Sequence, residues 1–183
     1  LTMFELTMKS ARVSSFGHLQ FTSNVEGDII NSCLPNSNYD NTIFAYWTRM
    51  HTVNTTGCPE CGIFTSVSGT APNRIFNIEW RTVEANGYDR ANFEIRLHEG
   101  NGRFDLVYGQ TTNGGRVAVI GVQRDTGSHF TQYVCRTYTP VIDPGLMLIF
   151  QQPPCEGSPT PTSTPGGPTE TSSPTPSATL PPR

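Results

Sequence analysis

"ANFEIRLHEGNGRFDLVYG", residues 91–109, decides the fold. Phe93, Ile95 and Leu97 alternate with Glu94, Arg96 and His98, and Phe104, Leu106 and Tyr108 answer beyond "EGNG". An extended chain sends successive side chains to opposite faces, so this alternation marks strands with one face on a core. The glycines between the two runs supply the positive φ angles of a tight turn. The stretch is therefore an antiparallel hairpin.

The same period spreads outward in both directions. "RIFNIEWRTV", residues 74–83, sets Phe76, Ile78 and Trp80 inward and Asn77, Glu79 and Arg81 outward. "NGG" at 113–115 is a second turn, followed by "RVAVIGVQ", "FTQYVC" and "GLMLIF". Upstream, "TMFELTMK" (2–9) places Phe4, Leu6 and Met8 on one face of a strand and Glu5 and Lys9 on the other. "ARVSSFGHLQF" (11–21) reads as two short strands bent at Gly17, and residues 22–41 as a long loop. "TIFAYWTRMHTV" (42–53) is a mostly apolar strand, ahead of a cysteine loop and "GIFTSVSG" (62–69). No stretch keeps helical spacing for three turns. About ten short strands parted by Gly and Asn turns describe an all-β, two-sheet antiparallel sandwich.

Composition narrows the setting. Of 183 residues only 15% are charged, the net charge is -3, and Lys9 is the single lysine. A phosphate-binding surface needs a basic patch, so a nucleic-acid partner is excluded. No apolar run approaches the roughly eighteen residues of a membrane-spanning helix. Leu1 opens on no secretory leader pattern, and the chain reads as a mature form or a fragment.

The five cysteines, Cys33, Cys58, Cys61, Cys135 and Cys155, read as partly disulfide-bonded and extracellular. "CPEC" (58–61) lacks the second ligand pair of a zinc site and the strand-to-helix setting of a redox motif. Cys58 and Cys61 are expected to be joined in a small loop. Cys33 and Cys135 are assigned to each other from location alone, which leaves Cys155 unpaired or intermolecular.

"CGIFTSVSGTAPNRIFNIEWRTV", "ANFEIRLHEGNGRFDLVYGQ" and "VAVIGVQRDTGSHFTQYVC" together resemble a jelly-roll-like β-sandwich domain. It occurs in large secreted and surface proteins of Chloroflexota-type bacteria, often beside Pro/Thr linkers and sometimes beside subtilisin-like proteases. The resemblance covers roughly residues 10–155 and implies no catalytic residues. In such relatives the sandwich starts some tens of residues earlier. Either this chain begins inside the domain, or it lacks an edge that something else must cover.

Residue chemistry points away from catalysis. His18, His51, His98 and His129 have no partner at a recognisable spacing, and Ser128 and His129, as strand neighbours, face opposite ways. Glu79 and Glu94 could meet across strands as a carboxylate pair, but beside Arg81 and Arg96 they form a solvated charge ladder. No cofactor is expected. Calcium is the one candidate ion, with Asn38, Asp40, Asn41 and Asp125 as oxygen donors, although such clusters ordinarily serve turns. Among the aromatics, Tyr39 and Tyr88 in loops are the exposed candidates for sugar contact, and Tyr46, Trp47, Trp80 and Tyr108 fit the core.

Residues 1–155 are read as the sandwich and 156–183 as a tail. From Ser158 to Arg183, Ser and Thr supply 12 residues and Pro 8, a composition for an extended polyproline path. A bare linker and an O-glycosylated stalk both fit. In the stalk reading Thr160, Thr162, Thr164, Thr169, Thr171 and Thr175 carry glycans, and Asn54-Thr55-Thr56 is an N-glycosylation sequon. The whole reads as a non-enzymatic extracellular or cell-surface module, structural or adhesive, in its sharper form a filament subunit. Its partners would be copies of itself, met through strand edges, the N-terminal segment and the tail, with glycans as further partners. The alternative is a carbohydrate-binding accessory domain of a secreted hydrolase.

Overall fold

The hairpin of residues 91–109 sits at the centre of the larger of two sheets. The computed structural model describes residues 2–3, 6–26, 30–53, 57–127 and 129–151. The strands are β1 (Thr2–Met3), β2 (Leu6–Thr7), β3 (Arg12–Val13), β4 (His18–Gln20), β5 (Thr42–Trp47), β6 (Met50–His51) and β7 (Gly62–Ser68). They continue with β8 (Ile75–Glu84), β9 (Arg90–His98), β10 (Phe104–Thr111), β11 (Val119–Gln123), β12 (Phe130–Cys135) and β13 (Met147–Phe150). No helix occurs among the described residues.

One sheet runs β13-β10-β9-β8, with β6 and β7 both along the free side of β8, and the other runs β12-β11-β5-β4-β3. Every pairing is antiparallel. Leu19, Ile43, Ala45 and Tyr46 of the smaller sheet pack against Ile78, Trp80, Phe93, Ile95, Leu106 and Tyr108 of the larger. Two polar tips cross between the sheets: the Tyr108 hydroxyl donates to the Ala45 carbonyl at 2.7 Å, and Trp80 Nε1 donates to the Ser14 carbonyl at 2.9 Å. The chain is a two-sheet antiparallel β-sandwich.

A bulge in β5 explains a strand that is buried on both faces. Gly121 faces Phe44 while Val119 faces Trp47, so Ala45 and Tyr46 share the space opposite Ile120. Both of their amides donate to the Gly17 carbonyl at 3.0 Å. An extra residue of this kind sends two neighbours to one face. Ala45 and Tyr46 therefore join the intersheet core, and Phe44 and Trp47 fall on the outer side. Gly17 has φ +79°, and a Cβ there would lie 2.3 Å from the Tyr46 carbonyl oxygen, so only glycine fits.

The outer side of the smaller sheet has a cover of its own. Leu34 and Tyr39 from the long loop pack on Phe44, Trp47 and Val119, with Phe16 and Val25 around them. The Cys33–Cys135 disulfide ties this loop to β12. Gln123 clamps it from beneath, donating to the Asn36 and Tyr39 carbonyls at 2.8 and 2.6 Å. Tyr39 is 0% exposed. That corrects the expectation of an exposed loop tyrosine: the bulge turns Phe44 and Trp47 outward, and the loop must bring apolar side chains to cover them.

The N-terminal segment also differs from a single alternating strand. Thr2–Met3 pairs with Leu6–Thr7 as a short ladder separate from both main sheets.

Candidate functional site

The two sheets do not match at one side. β7 pairs only with β8, and β3, two residues long, is the last strand of the facing sheet. No strand among the described residues lies opposite β7. Alternation places Thr65, Val67, Phe76 and Ile78 on the inner face, yet Val67 is 61% and Phe76 41% exposed. Across from them Val13 is 39% exposed. Between the sheets lies an open slot of about 630 Å³, whose walls include Val13, Leu19, Phe21, Val67, Phe76 and Ile78. Met8, Lys9, Ser10 and Ala11 line it as well. The rim is charged: Arg74 Nε donates to Glu99 Oε2 at 2.9 Å, and this pairing holds the Glu99 carboxyl down at about 2.

The resemblance led to the expectation of an uncovered edge, but the place of that edge was not legible in the sequence. Val67 sits in "FTSVS", where serine and threonine interrupt the apolar face, and nothing local tells that no strand lies across from it.

The outer face of the larger sheet carries the carboxylates singled out earlier. Glu79 and Glu94 are direct register partners on β8 and β9. Each is held by an arginine on its own strand: Arg81 bonds Glu79 twice at 2.9 Å, and Arg96 Nε bonds Glu94 at 3.1 Å. The Arg81 bonds, with a further one from Asn92, lower the Glu79 pKa. A general acid needs the opposite shift. Beside them a hollow of about 310 Å³ is lined by Glu79, Arg81, Asn92, Gln110 and the Cys58 loop, which the Cys58–Cys61 disulfide closes.

The four histidines stay apart. His18 is buried among Tyr39, Phe44 and Trp47, its Nδ1 has no partner, and burial lowers its pKa to about 3. His51 is exposed at the end of β6. His98 Nε2 lies 2.7 Å from Asp105, which also accepts from Arg103 at 2.8 Å. Burial works to raise the Asp105 pKa, but these bonds outweigh it and the net shift is down. His129 bonds Asp125 at 2.6 Å, and Ser128 lies outside the described residues.

The calcium candidates take part in hydrogen bonds of their loops. Asp125 Oδ1 accepts from the Gly127 amide at 3.0 Å, the Asn38 amide donates to Asn36 Oδ1 at 2.9 Å, and Asn41 Nδ2 donates to Thr22 at 3.0 Å. The Asp40 carbonyl accepts from Thr22, Ser23 and Thr42. Of the aromatic candidates for sugar contact, Tyr88 is 86% exposed. Asn54, Cys155 and Thr160, Thr162, Thr164, Thr169, Thr171 and Thr175 lie outside the described residues.

An all-β sandwich stapled by two disulfides is the architecture of a module built for oxidising surroundings. The model of the family described as "NIDO related" matches residues 1–148, and the chain belongs to that family, an extracellular-type domain family. No curated protein and no solved structure matches it.

Proposed function

We propose that this chain is a non-enzymatic structural or adhesive module of a bacterial surface or secreted protein of Chloroflexota type. It associates with copies of itself, in the sharper form as a filament subunit. The open side of the sandwich is the observation that carries this reading: inner-face residues Val13, Val67 and Phe76 stand exposed around a slot of about 630 Å³. Apolar surface bordered by unpaired strand edges is a template for another chain. In this reading residues 1–155 form the sandwich, and residues 156–183 are a glycosylated stalk. No cofactor takes part.

The alternative, a carbohydrate-binding accessory domain, has one observation in its favour, the polar hollow beside Glu79, Arg81, Asn92 and Gln110. None of the residues lining that hollow is aromatic, and Tyr39, Tyr46, Trp47, Trp80 and Tyr108 are buried, whereas Tyr88 is exposed.

Material from the native source, examined by electron microscopy and intact mass, tests the proposal alongside a glycan-array screen. Assembled particles, a mass above 20.1 kDa and silence on the array are expected. Monomers that bind sugars on the array would replace this reading with the alternative.

A further inference from the structure

The slot has the dimensions and lining of a missing strand, and its own chain supplies one that fits. β3 and β7 present their outer edges on either side of it, and neither pairs beyond β4 and β8 respectively among the described residues. A strand laid beside β3 and opposite β7 would extend the smaller sheet by one and cover Val13, Val67 and Phe76 together. Such a strand must be apolar at every second position.

Residues 4–8 have that pattern, with Phe4, Leu6 and Met8 alternating with Glu5 and Thr7. The segment is also in the right place. Met8, Lys9, Ser10 and Ala11 line the slot, so the segment directly precedes residues of its wall. Within one chain Leu6–Thr7 pairs with Thr2–Met3 and with neither β3 nor β7. That two-residue ladder opens at small cost, since so short a hairpin is marginal by itself. An element that leaves one copy beside the slot it fits in the next is the arrangement of strand exchange between protomers.

We infer that the slot between β3 and β7 receives residues 4–8 of a second copy of this chain, paired as an added strand of the smaller sheet. The inference deepens the self-association proposed above and rests on it.

Two variants of the full chain separate the halves of the contact. Phe4→Asp disables the donated segment and leaves the slot intact. Val67→Arg blocks the slot at a side chain already largely in solvent and leaves the segment intact; circular dichroism checks that both fold. Analytical ultracentrifugation of the wild type is expected to show concentration-dependent association, and each variant alone its loss. An equimolar mixture of the two is expected to recover a dimer and stop there, because one live slot then meets one live segment. A wild type that stays monomeric overturns the self-association reading and the inference with it. A wild type that associates while both variants associate equally well, or a mixture that recovers no dimer, overturns the assignment of the slot alone.

Discussion

His18 and Glu84 are buried ionisable side chains without an opposite charge beside them, and they pull stability in opposite directions with pH. Burial lowers His18 from 6.5 to about 3, so the folded chain holds fewer protons there than the unfolded one. Its contribution is complete above pH 6.5 and is lost as pH falls toward 3, with a slope approaching about 1.4 kcal/mol per pH unit. Glu84 is raised, first by burial, although Asn113 and Tyr46 bond its carboxyl at 2.6 and 3.1 Å. The folded state holds the extra proton in this case, so stability is full below the ordinary value of 4.5 and falls as pH rises through the shifted one. Urea titrations from pH 4 to 8 should show His18→Phe removing the acid-side loss and Glu84→Gln removing the alkaline-side loss. If both variants keep the wild-type profile, neither side chain is buried as described. The residue scale was half legible in the sequence. Alternation put Trp80 and Phe93 inward, but it could not show that a bulge would turn Trp47 away from the main core and around His18.

Among the elements, the strands of the larger sheet were readable because each carries its own period, as β8 and β9 do with Phe76–Trp80 and Phe93–Leu97. The loop over residues 22–41 was not. Its apolar residues, Val25, Leu34 and Tyr39, follow no period, and their burial depends on a sheet face formed by distant strands. What holds this cover in place is a long-range crosslink. Cys33 and Cys135 are 102 residues apart, whereas Cys58 and Cys61 are 3 apart. Closing the longer loop restricts the unfolded chain far more, and losing that bond should cost about 2–4 kcal/mol. Urea denaturation of Cys33→Ser/Cys135→Ser against Cys58→Ser/Cys61→Ser is expected to show the first pair much the more destabilised. Equal losses would mean that the loop is anchored by its packing and hydrogen bonds instead.

At the scale of the whole molecule, what matters is a mismatch between two sheets, and no local pattern encodes a mismatch. The resemblance to longer sandwiches raised the expectation of an uncovered edge. Its position between β3 and β7 follows only from the strand orders, and its apolar character from the exposure of Val67 and Phe76. The central claim is that this edge is covered by another copy. Amide hydrogen exchange along Arg12–Val13 of β3 and residues 4–8, followed from low to high protein concentration, tests it most directly, because strand pairing protects outer-edge amides that a free edge leaves open. The account predicts that both segments slow together as the larger species forms. Exchange that stays fast in β3 and in residues 4–8 while the protein assembles, or at every concentration because it never does, would contradict it.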